Sequence, residues 1–284
     1  MKIKKKWILS LIALILFILI GWTLWANTAL EVNEYEIVND RIPQGFDGFR
    51  IAQISDLHNT EFGERNEKLI QLLSQTDPDL IVITGDLIDS RHTDSEIALD
   101  FARQAVKLAP VYYVSGNHEA RVREYEDLKM GLAEAGVVIL ENQKARITRE
   151  GENITLMGID DPSFRGDYLF GDAESVARQA IHDLQNESDG YTILLSHRPE
   201  LFDLYVDNEM DLVFSGHAHG GQFRLPFIGG LVAPNQGFFP KYDAGLFSEE
   251  NTNMIVSRGV GNSIVPVRFN NRAEIILVTL NNIK

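Results

Sequence analysis

Five short motifs in this 284-residue chain bring histidine together with acid and amide side chains. Asp56-Leu-His58 closes an apolar run over residues 49–55, and Gly85-Asp86 closes the run 80–84, with Asp89 three residues on. Gly116-Asn117-His118-Glu119 follows the run 111–115, and His197 stands alone after 192–196. Gly216-His217-Ala-His219-Gly-Gly-Gln222 follows 212–215, so five of the seven histidines sit just past an apolar run. Imidazole is a good ligand for Zn, Mn, Fe and Ni, and carboxylate or carbonyl oxygen suits the harder of these ions. Gathering such groups from separate loops costs desolvation, which a bound cation offsets. Two cations repel each other, so at least one anionic ligand must lie between them, a part that Asp86 can take. A metal pair about 3.5–4 Å apart can activate hydroxide and clamp a phosphoryl group for in-line displacement. His92 and His182, in polar helix-like surroundings, read as hydrogen-bonded structural residues, and Asp89, Asp160 and Asp161 as turn or cap residues.

The positions of these motifs follow from the elements before them. Apolar strand-length runs occupy 49–55, 80–84, 111–115, 154–158, 192–196 and 212–215, with further strands expected at 137–140, 145–148, 254–257 and 274–280. Residues 66–74 and 95–108 carry the apolar spacing of helices packed by one face. Strands alternating with helices imply covered α/β sheets, and such sheets place ligand sites just beyond the carboxyl ends of their strands. Ser55, Gly85, Gly116 and Gly216 leave room there for a tight turn.

Composition narrows the function. The chain has no cysteine, which excludes disulfides, thiolate metal sites and thiol nucleophiles. With 26 basic against 41 acidic residues and a formal charge of −15, no nucleic-acid partner held by a broad basic surface is expected. Four lysines, Lys2, Lys4, Lys5 and Lys6, precede the apolar run 7–26, with Trp7 at one end and Trp22 and Trp25 at the other. A run of roughly 20 residues spans a hydrocarbon layer of about 30 Å, whereas a cleaved signal has a shorter apolar region and a small-residue cleavage site. Residues 1–30 are therefore expected to be a cytoplasmic basic tip and an uncleaved signal-anchor. A polar stretch from residue 27 to about 34 would lead into one extracytoplasmic domain, 31–284, on a single-pass cell-membrane protein.

The five motifs, in this order, resemble those of the calcineurin-like metallophosphoesterase superfamily, and the whole chain resembles its membrane-anchored bacterial YkuE/YaeI-like branch. The resemblance implies a four-layer αββα sandwich with a dimetal site at its loop edge. It assigns Asp56, His58, Asp86 and His219 to one metal, and Asp86, Asn117, His197 and His217 to the other, with Asp86 bridging. No ligand position departs from the family pattern. Mn, Fe and Zn all suit such a donor set. His118 would be the general acid for the leaving oxygen, Asn117 would help stabilise the phosphoryl oxygens, and Asp89 or Glu119 would orient the neighbourhood. The expected activity is a phosphodiesterase or pyrophosphatase reaction by metal-bridging hydroxide on a lipid, lipid-linked or cell-envelope phosphoester. A metal-bound, non-catalytic membrane adaptor is the alternative, and His118 argues against it, because an adaptor needs no proton donor. Arg198, beside His197, is the arginine best placed for substrate phosphate. The apolar segment from Phe223 onward, broken by Gly and Pro, reads as a long loop. It would either pack on the sheet edge or form a wall facing an acyl chain or bilayer.

Overall fold

The structure is a computed structural model that describes residues 2–165, 173–185, 190–262 and 267–283. It begins with helix α1 (Lys2–Ala26), whose segment Lys5–Ala26 has a mean hydropathy of 2.6 and is largely exposed up to Trp25, with Ala26 buried where it meets the domain. By length and composition this helix can cross a membrane. Strand β1 (Leu30–Val38) follows almost at once and pairs in parallel with β16 (Ala273–Asn281), from Leu30 against Ala273 to Val38 against Asn281. The polar connecting stretch expected up to about residue 34 is therefore largely strand. Leu30 and Val32 alternate with Glu31 and Asn33, so the apolar pair packs on a core cluster while Glu31 meets Arg258 and Arg272.

From there the chain alternates as expected: β2 (Phe49–Ile54), α2 (Glu67–Gln75), β3 (Leu80–Thr84), α3 (Ser95–Ala105), β4 (Val111–Val114), α4 (Tyr125–Ala135) and β5 (Val138–Ile139). A second set comprises β6 (Gln143–Arg149), β7 (Glu152–Gly158), α5 (Ala173–Gln185), β8 (Thr192–Leu195), α6 (Phe202–Asp207) and β9 (Leu212–Ser215). In place of an irregular loop, residues 224–238 form two small hairpins. One pairs β10 (Arg224–Leu225) with β11 (Gly229–Gly230), the other β12 (Val232–Ala233) with β13 (Gly237–Phe238). Strands β14 (Gly245–Glu249) and β15 (Thr252–Val256) complete the order before β16.

Two six-stranded sheets result, β1-β16-β2-β3-β4-β5 and β14-β15-β9-β8-β7-β6. Their central strands β3, β8 and β9 are buried at every residue, as uninterrupted apolar runs covered on both faces must be. Between the sheets lie Ile51, Leu80, Val82 and Val278 from one and Leu156, Ile193, Leu195 and Phe214 from the other. Leu69, Phe101 and Leu132 of α2, α3 and α4 cover the outer face of the first sheet. Ile181 and Phe202 of α5 and α6 cover that of the second. Helix, sheet, sheet and helix make the four-layer αββα sandwich.

Candidate metal centre

The loops leaving β2, β3 and β4 in one sheet meet those leaving β8 and β9 in the other. Asp56, His58, Asp86, His217 and His219 all take positive φ, between 45° and 65°. Such backbone is sparsely populated, costing on the order of 1–3 kcal/mol each, and persists where the surroundings over-determine it. Glycines make the close approach possible: a Cβ on Gly116 would collide with Asp86 Oδ1, and one on Gly216 with Ser55 Oγ and Asp56 Oδ2.

Two clusters form. In the first, His58 Nε2 and His219 Nε2 face each other at 3.1 Å, with Asp56 Oδ1 3.3 Å from His219 and 3.8 Å from His58. In the second, His197 Nε2 and His217 Nδ1 are 3.2 Å apart, and Asp86 Oδ2 lies 3.2 Å from His197. The same Oδ2 is 3.6 Å from His58 Nε2, so the Asp86 carboxylate stands between the clusters. Its other oxygen accepts the His118 N–H at 2.8 Å. Asp56 Oδ2 is likewise engaged, accepting from Ser55 Oγ at 2.5 Å. His197 Nδ1 lies 2.7 Å from Thr84 O, a contact that keeps a proton on Nδ1 and makes Nε2 the nitrogen a cation would meet.

These groups fit divalent ions. Donor atoms about 3 Å apart are the edges of a shell whose bonds run roughly 2.0–2.2 Å. Asn117 Oδ1 is buried without a hydrogen-bond partner among the described residues, as a carbonyl ligand awaiting a cation would be. Electrostatics agree. Burial alone would raise Asp86 and Asp56, yet the facing histidines hold both carboxyls below their usual range. Burial would lower His197, but Asp86 overcomes it and holds the imidazole up to about 10. His58 is raised in the same way by Asp56 and Asp86. Their partners go the other way: burial pushes His219 down to about 3, and burial with Arg198 pushes His217 well down. Without an ion, His197 keeps a second proton, on the nitrogen that faces the place a cation would take.

Around the clusters stand the supporting groups. Glu119 is fully buried, and its carboxylate accepts N–H groups of Asp86 and Gly116 at 2.8 Å and of Ile88 at 3.2 Å, tying the loops after β3 and β4 together. His118 Nδ1 accepts the Ser90 N–H at 3.0 Å, which directs the ring proton to Nε2. Burial pushes that imidazole down to about 4. Asp89 is a turn residue, accepting the Arg91 N–H at 2.8 Å, and its Oδ1 lies 3.8 Å from His118 Nδ1. His92 and His182 are exposed and apart from the centre. Arg198 is buried, and its guanidinium is committed to Asp161 at 2.5 and 2.8 Å and to Ser163 at 3.0 Å, with Nη1 3.1 Å from His217 Nε2. That setting supports His217 and leaves the guanidinium little to offer a phosphate. Asn235 Oδ1, 3.1 Å from His217 Nε2, has no counterpart in the sequence reading, because nothing in its Pro-Asn-Gln-Gly surroundings marks it. Asp161, read as a turn residue, does accept the Ser163 N–H at 2.9 Å, but it also anchors Arg198.

The layers and the ligand chemistry together are those of a metal-dependent phosphoester hydrolase. The calcineurin-like phosphoesterase profile matches residues 49–221, and the chain belongs to that family, whose members use two divalent metals. The chain is 30% identical over 262 residues to the uncharacterized metallophosphoesterase YkuE of Bacillus subtilis, covering 88% of this chain and 85% of that one. To the phosphodiesterase YaeI of Escherichia coli it is 29% identical over 259 residues, covering 88% and 90%. A Danio rerio transmembrane protein with a metallophosphoesterase domain is 30% identical over 259 residues, covering 88% of this chain and 57% of that longer one.

Proposed function

We propose that the chain is a membrane-anchored dimetal phosphodiesterase or pyrophosphatase acting on a lipid, lipid-linked or cell-envelope phosphoester. Residues 1–30 serve as its anchor and 31–284 as an extracytoplasmic catalytic domain. The likeness to a phosphodiesterase supports a diester substrate, and the lysines before α1 support a cytoplasmic amino terminus. The observation that carries the reading is the Asp86 carboxylate standing between two buried clusters. Asp56, His58 and His219 would hold one ion, Asn117, His197 and His217 the other, and Asp86 would serve both. Ions of the Mn, Fe or Zn kind would supply Lewis-acid stabilisation of phosphoryl charge and a more acidic water.

The chain's own residues do the rest. Glu119 and the three glycines hold the loops in register, so the ligands need no reorganisation when charge develops. Asn117 presents its amide to the phosphoryl oxygens from the second cluster. As general acid, His118 would first take a second proton on Nδ1, which Asp89 3.8 Å away favours, and then pass the Nε2 proton to the leaving oxygen, returning to the neutral ring. Asn235 Oδ1, accepting the Nε2 proton of His217, would leave its Nδ1 free for a cation. Hydrolysis of bis(4-nitrophenyl) phosphate by the full chain with added manganese tests the reading. Turnover is expected, and Asp86→Asn should lower it by at least about 10³-fold with loss of bound metal, since the shared anion offsets the mutual repulsion of the ions. No turnover with any divalent metal, or an Asp86→Asn variant that keeps both, would overturn it.

A further inference from the structure

Outside α1, the phenylalanines more than half exposed among the described residues are Phe227, Phe238 and Phe239, at 108%, 81% and 64%. All three lie on the two hairpins that follow β9, and Ile228 beside the first is also exposed. Phe227 and Phe239 hold φ of 66° and 56°, a backbone that bulky side chains resist. Strain spent on presenting aromatic rings to water gains nothing for the fold, so the rings need a partner. Charge points to its nature. Residues 223–242 contain no acid, and their two cations, Arg224 and Lys241, pair with Asp243 and Asp203 beside them, which leaves the patch near neutral in a chain whose formal charge is −15.

The hairpins stand beside the end of α1. Asn27 Nδ2 donates to Arg268 O and Arg268 N donates to Asn27 Oδ1, both at 2.8 Å. One residue on, Phe269 O accepts the N–H of Arg224 in β10 at 3.0 Å. The base of the first hairpin is thus one chain-width from the helix exit. The second hairpin, through Asn235, touches His217. Helix exit, exposed rings and metal cluster share one edge of the sandwich.

We infer that the exposed rings of the two hairpins, Phe227 at the tip of the first and Phe238 and Phe239 at the base of the second, are a second bilayer contact, seated in the membrane that α1 crosses, so that the metal edge opens onto the lipid headgroups. The inference rests on the proposed reading of α1 as an anchor, and it narrows the substrate to a phosphoester presented at the membrane surface. Apolar side chains at an interface sink about 5–10 Å to the headgroup boundary.

The absence of cysteine makes the test direct. Phe227→Cys and Phe238→Cys variants of the full chain are labelled with the fluorophore NBD. They are placed in nanodiscs of phosphatidylcholine with some phosphatidylglycerol, and quenched by nitroxide-labelled lipid. The reference is Met130→Cys, at an exposed position on α4. Emission at 227 and 238 is expected to shift to the blue and to lose at least half its intensity to the quencher, with Met130→Cys unaffected. Quenching at 227 and 238 no greater than at 130 would overturn the inference. Turnover of bis(4-nitrophenyl) phosphate by the same labelled chains separates the two failures. Active chains without quenching remove the bilayer contact alone, and quenched but inactive chains remove the catalytic reading alone.

Discussion

The histidines of each facing pair differ in the proton they hold: His58 and His197 are raised by the carboxylates, whereas His219 and His217 are lowered by burial. Metal ligands must be deprotonated, so loading the centre has to expel the protons on the raised members. With His197 held up to about 10, the metal-free state keeps its proton at neutral pH, and apparent metal affinity should rise with pH up to that value. Calorimetric titration with manganese at pH 7.5, in buffers of different ionisation enthalpy, should show release of about one proton per chain, from His197. Release near zero would contradict this account of the pairs. His118 lends itself to a second check. His118→Ala should slow hydrolysis of esters with alkoxide leaving groups by about 10²–10⁴-fold and spare nitrophenolate esters, because only the poor leaving group needs a proton. Equal losses on both, with metal content intact, would remove the donor role. The residues of the two clusters could be read from the sequence because each lies at the end of an apolar run, most of them within a compact motif. Asn235 and Asp161 could not, since their neighbours in space, His217 and Arg198, lie far from them along the chain.

Strands buried on both faces announce themselves as unbroken apolar runs, which is why 80–84 and 212–215 coincide with β3 and β9. Strand β1 escaped that reading because it lies at a sheet edge and alternates Leu30 and Val32 with charged or amide residues. Helices α4, α5 and α6 were not singled out either, and α4 ends where Gly136 takes φ of 100°. The two hairpins were invisible for a different reason: strands of two residues are too short to show any periodicity. The turns after the central strands make a sharper prediction. Gly116→Ala pushes on Asp86, which serves both clusters, whereas Gly216→Ala pushes on Asp56, which serves only one. Each should cost about 1–3 kcal/mol of stability as overpacking does. Elemental analysis should find both ions depleted in the first variant and one ion retained in the second. Identical metal content in the two variants would show that the clusters are not built as described.

The sandwich brings together ligands that neither sheet could supply alone. Asp56, His58, Asp86 and Asn117 come from loops of the first sheet, and His197, His217 and His219 from loops of the second. An ion pair at that edge would cross-link the layers above the apolar core that already joins them. The sequence made the α/β class and the loop-edge location readable from local pattern. Which loops meet depends on sheet order, which no local pattern carries; the grouping of the motifs around two metals came from the family resemblance, and the order from the structure. The central claim is spatial, and anomalous diffraction from crystals of the chain grown with manganese tests it most directly. Two peaks about 3.5–4 Å apart are predicted. Asp86 should lie between them, with Asp56, His58 and His219 around one and Asn117, His197 and His217 around the other. A cluster without manganese, or a single ion bound away from Asp86, would contradict it.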